Sequence, residues 1–360
     1  MPKVFLHHIK YMRLQAGNIS IKRSLLVSLT HSTMFIINHV KIWLILMFAT
    51  TVSCYLGLSY NQPIFCSNVS WNPNGTTIAD ETIIGSYPWK IFITTNNTVY
   101  VPNRNTSSLI MWTDTNSTPT RNISLSSNDV RTFFITETYE IYYDYSWNSI
   151  NGIHKITSDL MNDTSAMNTC TRCFDNFVDI QNNIYCSLAE AAQVTRKSLN
   201  NESDPIEIVA GIGLAGSTSY MLNVPNGIFV DTNLDLYVAD SSNNRIQLFG
   251  SGQLNAITVA GNTSSIPTIS LNTPVAVTLD ANKYLFIADH DSNSIITNGP
   301  FGFRCILGCD GGGTSSDQLV TPRSIAFDSF GNIFIVDRGN QRIQKFFYQQ
   351  ILAVCFIVKI

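Results

Sequence analysis

The chain has 360 residues, of which 44% are apolar, and is therefore long enough to bury a substantial core. Its charge is unevenly distributed, because the first 41 residues carry six Lys or Arg and no carboxylate. After residue 41, sixteen Lys or Arg face twenty-five Asp or Glu, and this net charge of −9 argues against a basic face that binds nucleic acid.

An apolar segment follows the basic amino terminus. Residues 42–60 contain no charge over nineteen positions, close to the ~20 residues that a helix needs to span a bilayer. We therefore predict a basic cytosolic segment over 1–41 and a single transmembrane signal-anchor over 42–60, with the rest of the chain outside the cell. Two alternatives stay open: a cleaved signal peptide, especially if translation begins at Met34, which would give a secreted protein, and a buried helix of a soluble domain.

Glycosylation acceptors agree with export of the chain after residue 60. Nine Asn-x-Ser/Thr triplets follow that position. Because the chain is rich in Asn, their number supports export only modestly. The acceptors are Asn68, Asn74, Asn96, Asn105, Asn116, Asn122, Asn162, Asn201 and Asn262.

From residue 88 onward, one unit recurs six times. Its best-defined copy has apolar runs at Ile228–Val230 and Leu236–Val238 on either side of a sequence rich in Asp and Asn, which predicts a β-hairpin. In each copy the second strand begins eleven residues after the first position and has an aromatic residue in its middle. The first positions are Pro88, Val130, Cys173, Pro225, Pro274 and Pro322.

Six repeats of 42 to 52 residues, each with several short strands, are what a β-propeller requires. We therefore predict an all-β, six-bladed propeller over residues 61–350. An open ring would leave two unpaired sheet edges. Residues 71–80 loosely resemble the outer strand predicted at 255–261, so we expect them to close the last blade. The apolar tail 351–360 is too short to span a membrane as a helix and could compete for the same edge.

The last three copies resemble the NHL-repeat family, whose pattern runs from a Pro-x-Gly/Ser start to an Ala-Asp-x-x-Asn-x-Arg-Ile-Gln ending. The match is specific over residues 225–347, whereas in the first three copies mainly the strand register survives. The middle of the three departs from the pattern, because Ser292 and Ser294 stand where Asn and Arg are expected. The matching residues are Asp240, Asn243, Arg245, Asp289, Asp337, Asn340 and Arg342.

The resemblance also implies roles for the matching residues. Asp240 with Arg245, and Asp337 with Arg342, would form polar contacts in the turn after the second strand of their blades. The resemblance therefore implies that these residues stabilise the fold and do not bind a ligand.

Cysteines in the exported region are disulfide candidates, because that compartment is oxidising. Spacing alone leaves their pairing open. A zinc site is the competing interpretation, but only His154 and His290 lie beyond residue 60, and neither has ligand spacing to a cysteine pair. The candidates are Cys170, Cys173, Cys186, Cys305 and Cys309.

Two motifs suggest ligand chemistry but lack its context. Residues 211–216 have the spacing of a dinucleotide-binding loop, yet the sequence leads to another strand and not to the helix that would face a pyrophosphate. Residues 289–300 begin like a calcium loop, but Ser294 and Pro300 stand where glycine and an acidic residue are needed. We therefore assign no catalytic residue, no metal ligand and no cofactor.

The sequence favours a propeller displayed outside the cell on a membrane anchor. We expect it to act as a non-catalytic binding domain for an extracellular protein or glycan, with no nucleic-acid partner. The alternative is a secreted metal-dependent hydrolase or lyase of propeller fold, with carboxylates at the opening of the central channel. A tightly held, stoichiometric calcium or zinc ion would favour the enzyme. The fold itself does not identify the ligand.

Overall fold

A computed structural model describes residues 58–65, 69–113, 118–127, 129–147, 150–160, 162–264 and 268–349. In this part of the chain, no helix has the length and hydrophobicity needed to cross a bilayer. Of the membrane span predicted at 42–60, only residues 58–60 are described, and they are not helical. The predicted tail at 351–360 lies outside the described residues.

Six four-stranded antiparallel sheets form the molecule, and the predicted all-β, six-bladed propeller is confirmed. The first strands of consecutive blades pack against one another around a central channel, and the sixth packs against the first, which closes the ring. Before blade 1 lie β1 (Ser70–Trp71), β2 (Thr76–Ala79), which belongs to the sheet of blade 6, and α1 (Glu81–Ile84); a 3-10 turn (Ser241–Asn243) lies in blade 4.

The strands of the blades follow the predicted repeat register. Each blade runs from an innermost to an outermost strand, and the sixth takes its outermost strand from β2. The strands are β3 (Phe92–Ile93), β4 (Val99–Asn103), β5 (Ser108–Trp112) and β6 (Arg121–Ser124) in blade 1; β7 (Phe133–Ile135), β8 (Ile141–Trp147), β9 (Ile150–Ile156) and β10 (Asp163–Thr169) in blade 2; β11 (Asp175–Val178), β12 (Asn183–Leu188), β13 (Gln193–Ser198) and β14 (Glu207–Ala210) in blade 3; β15 (Pro225–Val230), β16 (Leu236–Asp240), β17 (Arg245–Phe249) and β18 (Ile257–Gly261) in blade 4; β19 (Pro274–Leu279), β20 (Leu285–Asp289), β21 (Ser294–Thr297) and β22 (Arg304–Leu307) in blade 5; and β23 (Pro322–Phe327), β24 (Ile333–Asp337), β25 (Arg342–Phe346) and β2 in blade 6, beyond which lies β26 (Tyr348–Gln349).

Blade 6 joins the two ends of the propeller. β2 pairs antiparallel with β25, with Thr77 opposite Gln344. Next to this blade, β1 pairs with β26, with Trp71 opposite Tyr348. The early strands therefore cover the edge that the last blade would otherwise expose.

The turn between the first and second strands has one geometry in all six blades. Its first residue is an Asp or a Thr, whose side chain accepts a hydrogen bond of 2.8–3.2 Å from the backbone N–H four residues later. The residue before that N–H has a positive φ in each blade. The repeat thus extends into the first three blades, where the family pattern is mostly lost. The first residues of the turns are Thr94, Thr136, Asp179, Asp231, Asp280 and Asp328.

These six turns surround one end of the central channel. We call this side of the propeller the turn face. The segment Leu58–Phe65 crosses the turn face. Near its start, Tyr60 forms a β-bridge with Thr94 of blade 1. Near its end, the Pro63 carbonyl oxygen accepts a 3.0 Å hydrogen bond from the backbone N–H of Ala281 in blade 5. The segment is therefore part of the propeller.

The ring of Tyr60 lies at the turn-face end of the channel. It packs edge-on against Phe134, Phe177 and Phe229, with centroid separations of 6.2, 5.5 and 5.6 Å. These three rings come from the innermost strands of blades 2, 3 and 4. Tyr60 therefore forms the floor of the channel.

Asp280, at the start of the blade 5 turn, couples stability to pH. Its Oδ1 accepts backbone hydrogen bonds from Asn282 and Tyr284, whereas its Oδ2 has no hydrogen-bond partner among the described residues. Burial raises the pKa of Asp280 to about 6. Between pH ~4 and ~6 the folded protein keeps a proton that the unfolded chain loses. The free energy of unfolding therefore falls as the pH rises through this window, by up to about 3 kcal/mol, and that loss persists above it.

Asp280→Asn is expected to remove this contribution to the pH dependence. The measurement is urea unfolding of both proteins at pH 4, 5, 6 and 7. Asp317→Asn changes an exposed carboxylate and is the matched control, which should keep the wild-type slope. If Asp280→Asn also keeps that slope, Asp280 does not carry the effect.

Candidate functional site

One residue from each blade surrounds the other end of the channel. Each directly follows the first position of its repeat, at the start of the innermost strand or just before it. The six positions carry five residue types, with arginine at two of them, so a comparison of what the repeats share does not identify them. Their common place, one residue after each repeat start, marks them in the sequence. We call this ring the mouth; its members are Trp89, Arg131, Phe174, Asn226, Val275 and Arg323.

A cavity of about 80 Å³ lies behind the mouth. Trp89 and Arg323 line its entrance, Tyr60 its floor and the innermost strands its walls. One water needs roughly 10–15 Å³, so the cavity can hold several waters or a small chemical group. Drug-sized ligands occupy sites of roughly 300–1,000 Å³, so the cavity can take only the end of such a ligand.

Four arginines surround Trp89. The guanidinium carbon of Arg323 lies 3.7 Å from the centre of the indole ring. Those of Arg131, Arg338 and Arg104 lie at 5.1, 5.3 and 5.7 Å. All four are within the ~6 Å range in which a cation is attracted to an aromatic face. They come from blades 6, 2 and 1 and so bring positive charge to one side of the mouth.

Asp129 neutralises part of this charge. It forms ion pairs with Arg104, with Arg131 at 3.1 Å and with Arg172 at 2.8 Å. Burial acts to raise the pKa of Asp129, but the hydrogen bond from Arg104 and the charge of Arg172 outweigh it and hold this pKa below its usual range. Asp129 therefore stays ionised as the shared partner of three arginines.

Two further carboxylates near the mouth are also engaged. The buried Asp144 forms a 2.6 Å ion pair with Arg172. Asp175 pairs with Lys90 and accepts a 3.0 Å hydrogen bond from the backbone N–H of Ile228 in the next blade. Across the described ranges, no group of three or more His, Cys, Asp or Glu side chains is arranged to hold a metal ion.

Arg323 and Arg338 differ from the other mouth cations. Within the described part of the chain, neither forms an ion pair with a carboxylate. Arg323 donates a 2.8 Å hydrogen bond to Asn226, and the buried Nε of Arg338 has no hydrogen-bond partner in the described ranges. Burial, followed by repulsion from Arg338, lowers the pKa of Arg323 to about 9. The mouth thus holds positive charge that its own acids leave unbalanced.

The family-pattern residues predicted from the sequence lie in the turns between second and third strands. In blades 4 and 6 an arginine and an asparagine donate to the same buried aspartate. These contacts lie within the turns, so the structure assigns the residues to stabilising the blades. The pairs are Arg245–Asp240 (2.7 Å), Asn243–Asp240 (2.8 Å), Arg342–Asp337 (2.7 Å) and Asn340–Asp337 (2.8 Å).

Blade 5 has the aspartate without the arginine. Asp289 is buried and accepts a 2.7 Å hydrogen bond from the backbone N–H of Asn272. Ser294 occupies the position of the arginine, and Asp289 has no ion-pair partner among the described residues. Burial raises the pKa of Asp289.

Two disulfides join predicted cysteines. Cys173–Cys186 links the start of blade 3 to its second strand, and Cys305–Cys309 spans the end of the outer strand of blade 5. The remaining candidate, Cys170, is an exposed free thiol. Disulfides persist in oxidising compartments, which agrees with export of the propeller.

The described glycosylation candidates are accessible. Asn68 and Asn116 lie outside the described residues, and glycosylation of all nine stays a prediction. The exposed candidates are Asn74, Asn96, Asn105, Asn122, Asn162, Asn201 and Asn262.

The dinucleotide-type spacing at 211–216 is part of a connection between blades. The connection continues into an isolated bridge between Ala215 and Leu222, and no helix follows it before β15. The glycine spacing therefore belongs to a turn.

Comparison with known proteins agrees with the repeat and the fold. A model of the NHL repeat matches residues 222–249 and 319–346, which lie in blades 4 and 6. These are the two copies with the complete Asp, Asn and Arg pattern. No curated protein sequence matches the chain.

Solved structures share the architecture at low sequence identity. A structural genomics protein of unknown function from Bacteroides thetaiotaomicron superposes with a TM-score of 0.62 at 13% identity, over 77% of this chain and 76% of its own. An auxiliary nutrient binding protein from the same organism gives 0.58 at 15% identity, over 81% and 76%. Virginiamycin B lyase from Staphylococcus aureus gives 0.55 at 13%, over 78% and 99%. These similarities show the fold alone.

Proposed function

We propose that this NHL-repeat β-propeller is a non-catalytic binding protein whose ligand docks at the mouth. The observation that carries the proposal is the half-buried Trp89 with four arginines around it. Trp and Arg are the residue types most enriched where binding energy is concentrated. The six blades repeat their turns and strands but differ at the mouth, which is where a specific ligand would be distinguished.

The closed turn face supports the same assignment. Leu58–Phe65 crosses that face and Tyr60 forms the floor of the cavity, so the mouth is the accessible end of the channel. A blind cavity suits the retention of a ligand end group.

The location and partner class follow from the chain as a whole. The two disulfides, the exposed acceptor asparagines and the uncharged apolar sequence from residue 42 to residue 57 support display outside the cell on a membrane anchor, with secretion as the alternative. An extracellular protein or glycan is the proposed partner. The net charge of −9 after residue 41 disfavours nucleic acid.

A propeller hydrolase or lyase is the second candidate, because virginiamycin B lyase has the same fold. Its metal-dependent form would need free carboxylates at the mouth. Asp129, Asp144 and Asp175 are instead paired with Arg or Lys, which favours binding over catalysis.

Trp89→Ala tests the proposal. Loss of a central tryptophan typically costs at least ~2 kcal/mol of binding, so affinity for the natural ligand should fall by roughly 30-fold. The measurement is retention of extracellular proteins and glycans on immobilised full-length protein, compared between wild type and variant, with melting curves to establish folding.

Phe330→Ala is the matched control, because Phe330 is 72% exposed and lies on the turn face. A ligand that is lost with Trp89→Ala and kept by Phe330→Ala supports the mouth. A ligand lost only with Phe330→Ala would move binding to the turn face. Release of the captured ligand with an altered mass would replace the binding function with an enzymatic one.

A further inference from the structure

The cations of the mouth fall into two groups. Arg104, Arg131 and Arg172 share Asp129, and Lys90 has Asp175. Arg323 and Arg338 have no such partner among the described residues, although both lie against Trp89. The charges of Arg323 and Arg338 therefore do not stabilise the described fold through ion pairs.

Unused hydrogen-bond donors accompany the unpaired charge. The Nε of Arg338 is buried without an acceptor among the described residues, whereas a buried donor normally has a partner from the protein, ordered water or a ligand. The side chain of Arg323 donates to the neutral amide oxygen of Asn226. Both guanidinium groups thus keep N–H groups available for an acceptor that carries negative charge.

We infer that the mouth binds an oxyanion, a carboxylate or phosphate group, between Arg323 and Arg338 against Trp89. This rests on the proposed binding function and adds the chemical class of the ligand. The planar guanidinium fork matches the paired oxygens of a carboxylate or phosphate. The cavity of about 80 Å³ is lined by Trp89 and Arg323, and Arg338 lies against the same indole ring outside the lining. The entrance can therefore accept such a group while the body of the ligand stays outside.

The two arginines also act on each other's environment through their charges, since both lie against Trp89. Repulsion from Arg338 adds to burial in lowering the pKa of Arg323. An entering anion offsets this repulsion. Without the anion the repulsion stays, so the free protein should be at least as stable when the charge of Arg338 is removed.

The direct test is titration calorimetry of the full-length protein in detergent micelles at pH 7 and low salt. The probes are benzoate, acetate and inorganic phosphate, with benzyl alcohol as the uncharged analogue of benzoate. We expect saturable binding of an oxyanion and none of benzyl alcohol. Tighter binding of benzoate than of acetate would indicate an organic ligand, and equal binding a free ion.

Arg323→Gln and Arg338→Gln identify the residues responsible. Each should weaken oxyanion binding by roughly 10-fold or more, because each removes charge-assisted hydrogen bonds. Arg121→Gln removes an exposed arginine on the outer strand of blade 1 and should bind like the wild type. At low salt without the anion, Arg338→Gln should melt at or above the wild-type temperature, whereas a purely structural arginine would lower it.

Two results would overturn the inference: no saturable binding of any of the three anions by the wild type, or binding that both variants retain. Other results distinguish a failure of the oxyanion assignment from a failure of the proposed binding function. If a natural ligand depends on Trp89 but not on either arginine, the mouth still binds and the oxyanion assignment is wrong. If benzoate binds through Arg338 while no natural ligand depends on Trp89, the anion site stands without the proposed function.

Discussion

Trp71→Ala should lower the free energy of unfolding by about 3–5 kcal/mol, the usual loss for truncating a buried tryptophan. Trp71 is 5% exposed. Its ring packs edge-on against Phe65 and Phe286, with centroids at 5.1 and 5.8 Å. Its indole N–H donates a 2.9 Å hydrogen bond to the carbonyl oxygen of Gly331 in the last blade. One side chain thus joins β1, blade 5 and blade 6.

The measurement is urea unfolding of the full-length protein, with Phe301→Ala as the control. Phe301 is 76% exposed, so its truncation should cost less than ~0.5 kcal/mol. Trp71→Phe keeps a ring but loses the hydrogen bond, and it should fall between the two. An unfolding curve of Trp71→Ala that matches wild type would mean that this side chain does not stabilise the closure.

Arg245→Leu should cost a similar amount, about 3–5 kcal/mol, because it leaves a buried carboxylate without its partner. Arg245 is 2% exposed and Asp240 is fully buried. Its guanidinium also donates to the carbonyl oxygens of Ser217, Thr218 and Met221. The substitution therefore leaves several carbonyl oxygens in the connection between blades 3 and 4 without their hydrogen-bond donor.

Arg196→Leu provides the comparison, because the Arg196–Glu207 pair is on the surface and should be worth less than ~1 kcal/mol. A second variant, Asp240→Asn in the Arg245→Leu background, removes the stranded charge and should recover part of the loss. Equal free energies of unfolding for Arg245→Leu and Arg196→Leu would show that the buried pair stabilises the protein no more than the surface pair does.

The fold could be predicted because its repeats share local chemistry. The middle aromatic of each second strand, such as Tyr237, fixed the register even in the degenerate blades. The turn residues carry the same information, since Thr136 and Asp328 accept equivalent hydrogen bonds in blades that otherwise differ. Periodic features of this kind depend on residues close in sequence.

The mouth could not be predicted in the same way. Trp89, Arg131, Arg323 and Arg338 come from three blades and meet only because the ring brings these blades together at one end of the channel. Their ability to form a site depends on how the blades differ. A comparison of the repeats reveals only what the blades share. The crossing of the turn face by Leu58–Phe65 was also outside the prediction, because the apolar pattern there continued a possible membrane span.

The pairing of β2 with β25 also fixes the order in which the molecule can be completed during synthesis. Thr77 and Gln344 are 267 positions apart. A ribosome that adds roughly 5–20 residues per second makes the second strand about 13–50 s after the first. Blades 1 to 5 are each contiguous in the chain and can form as they emerge, whereas β2 waits unpaired throughout. The blade that holds the ring shut is thus assembled last, around one of the first strands to be made.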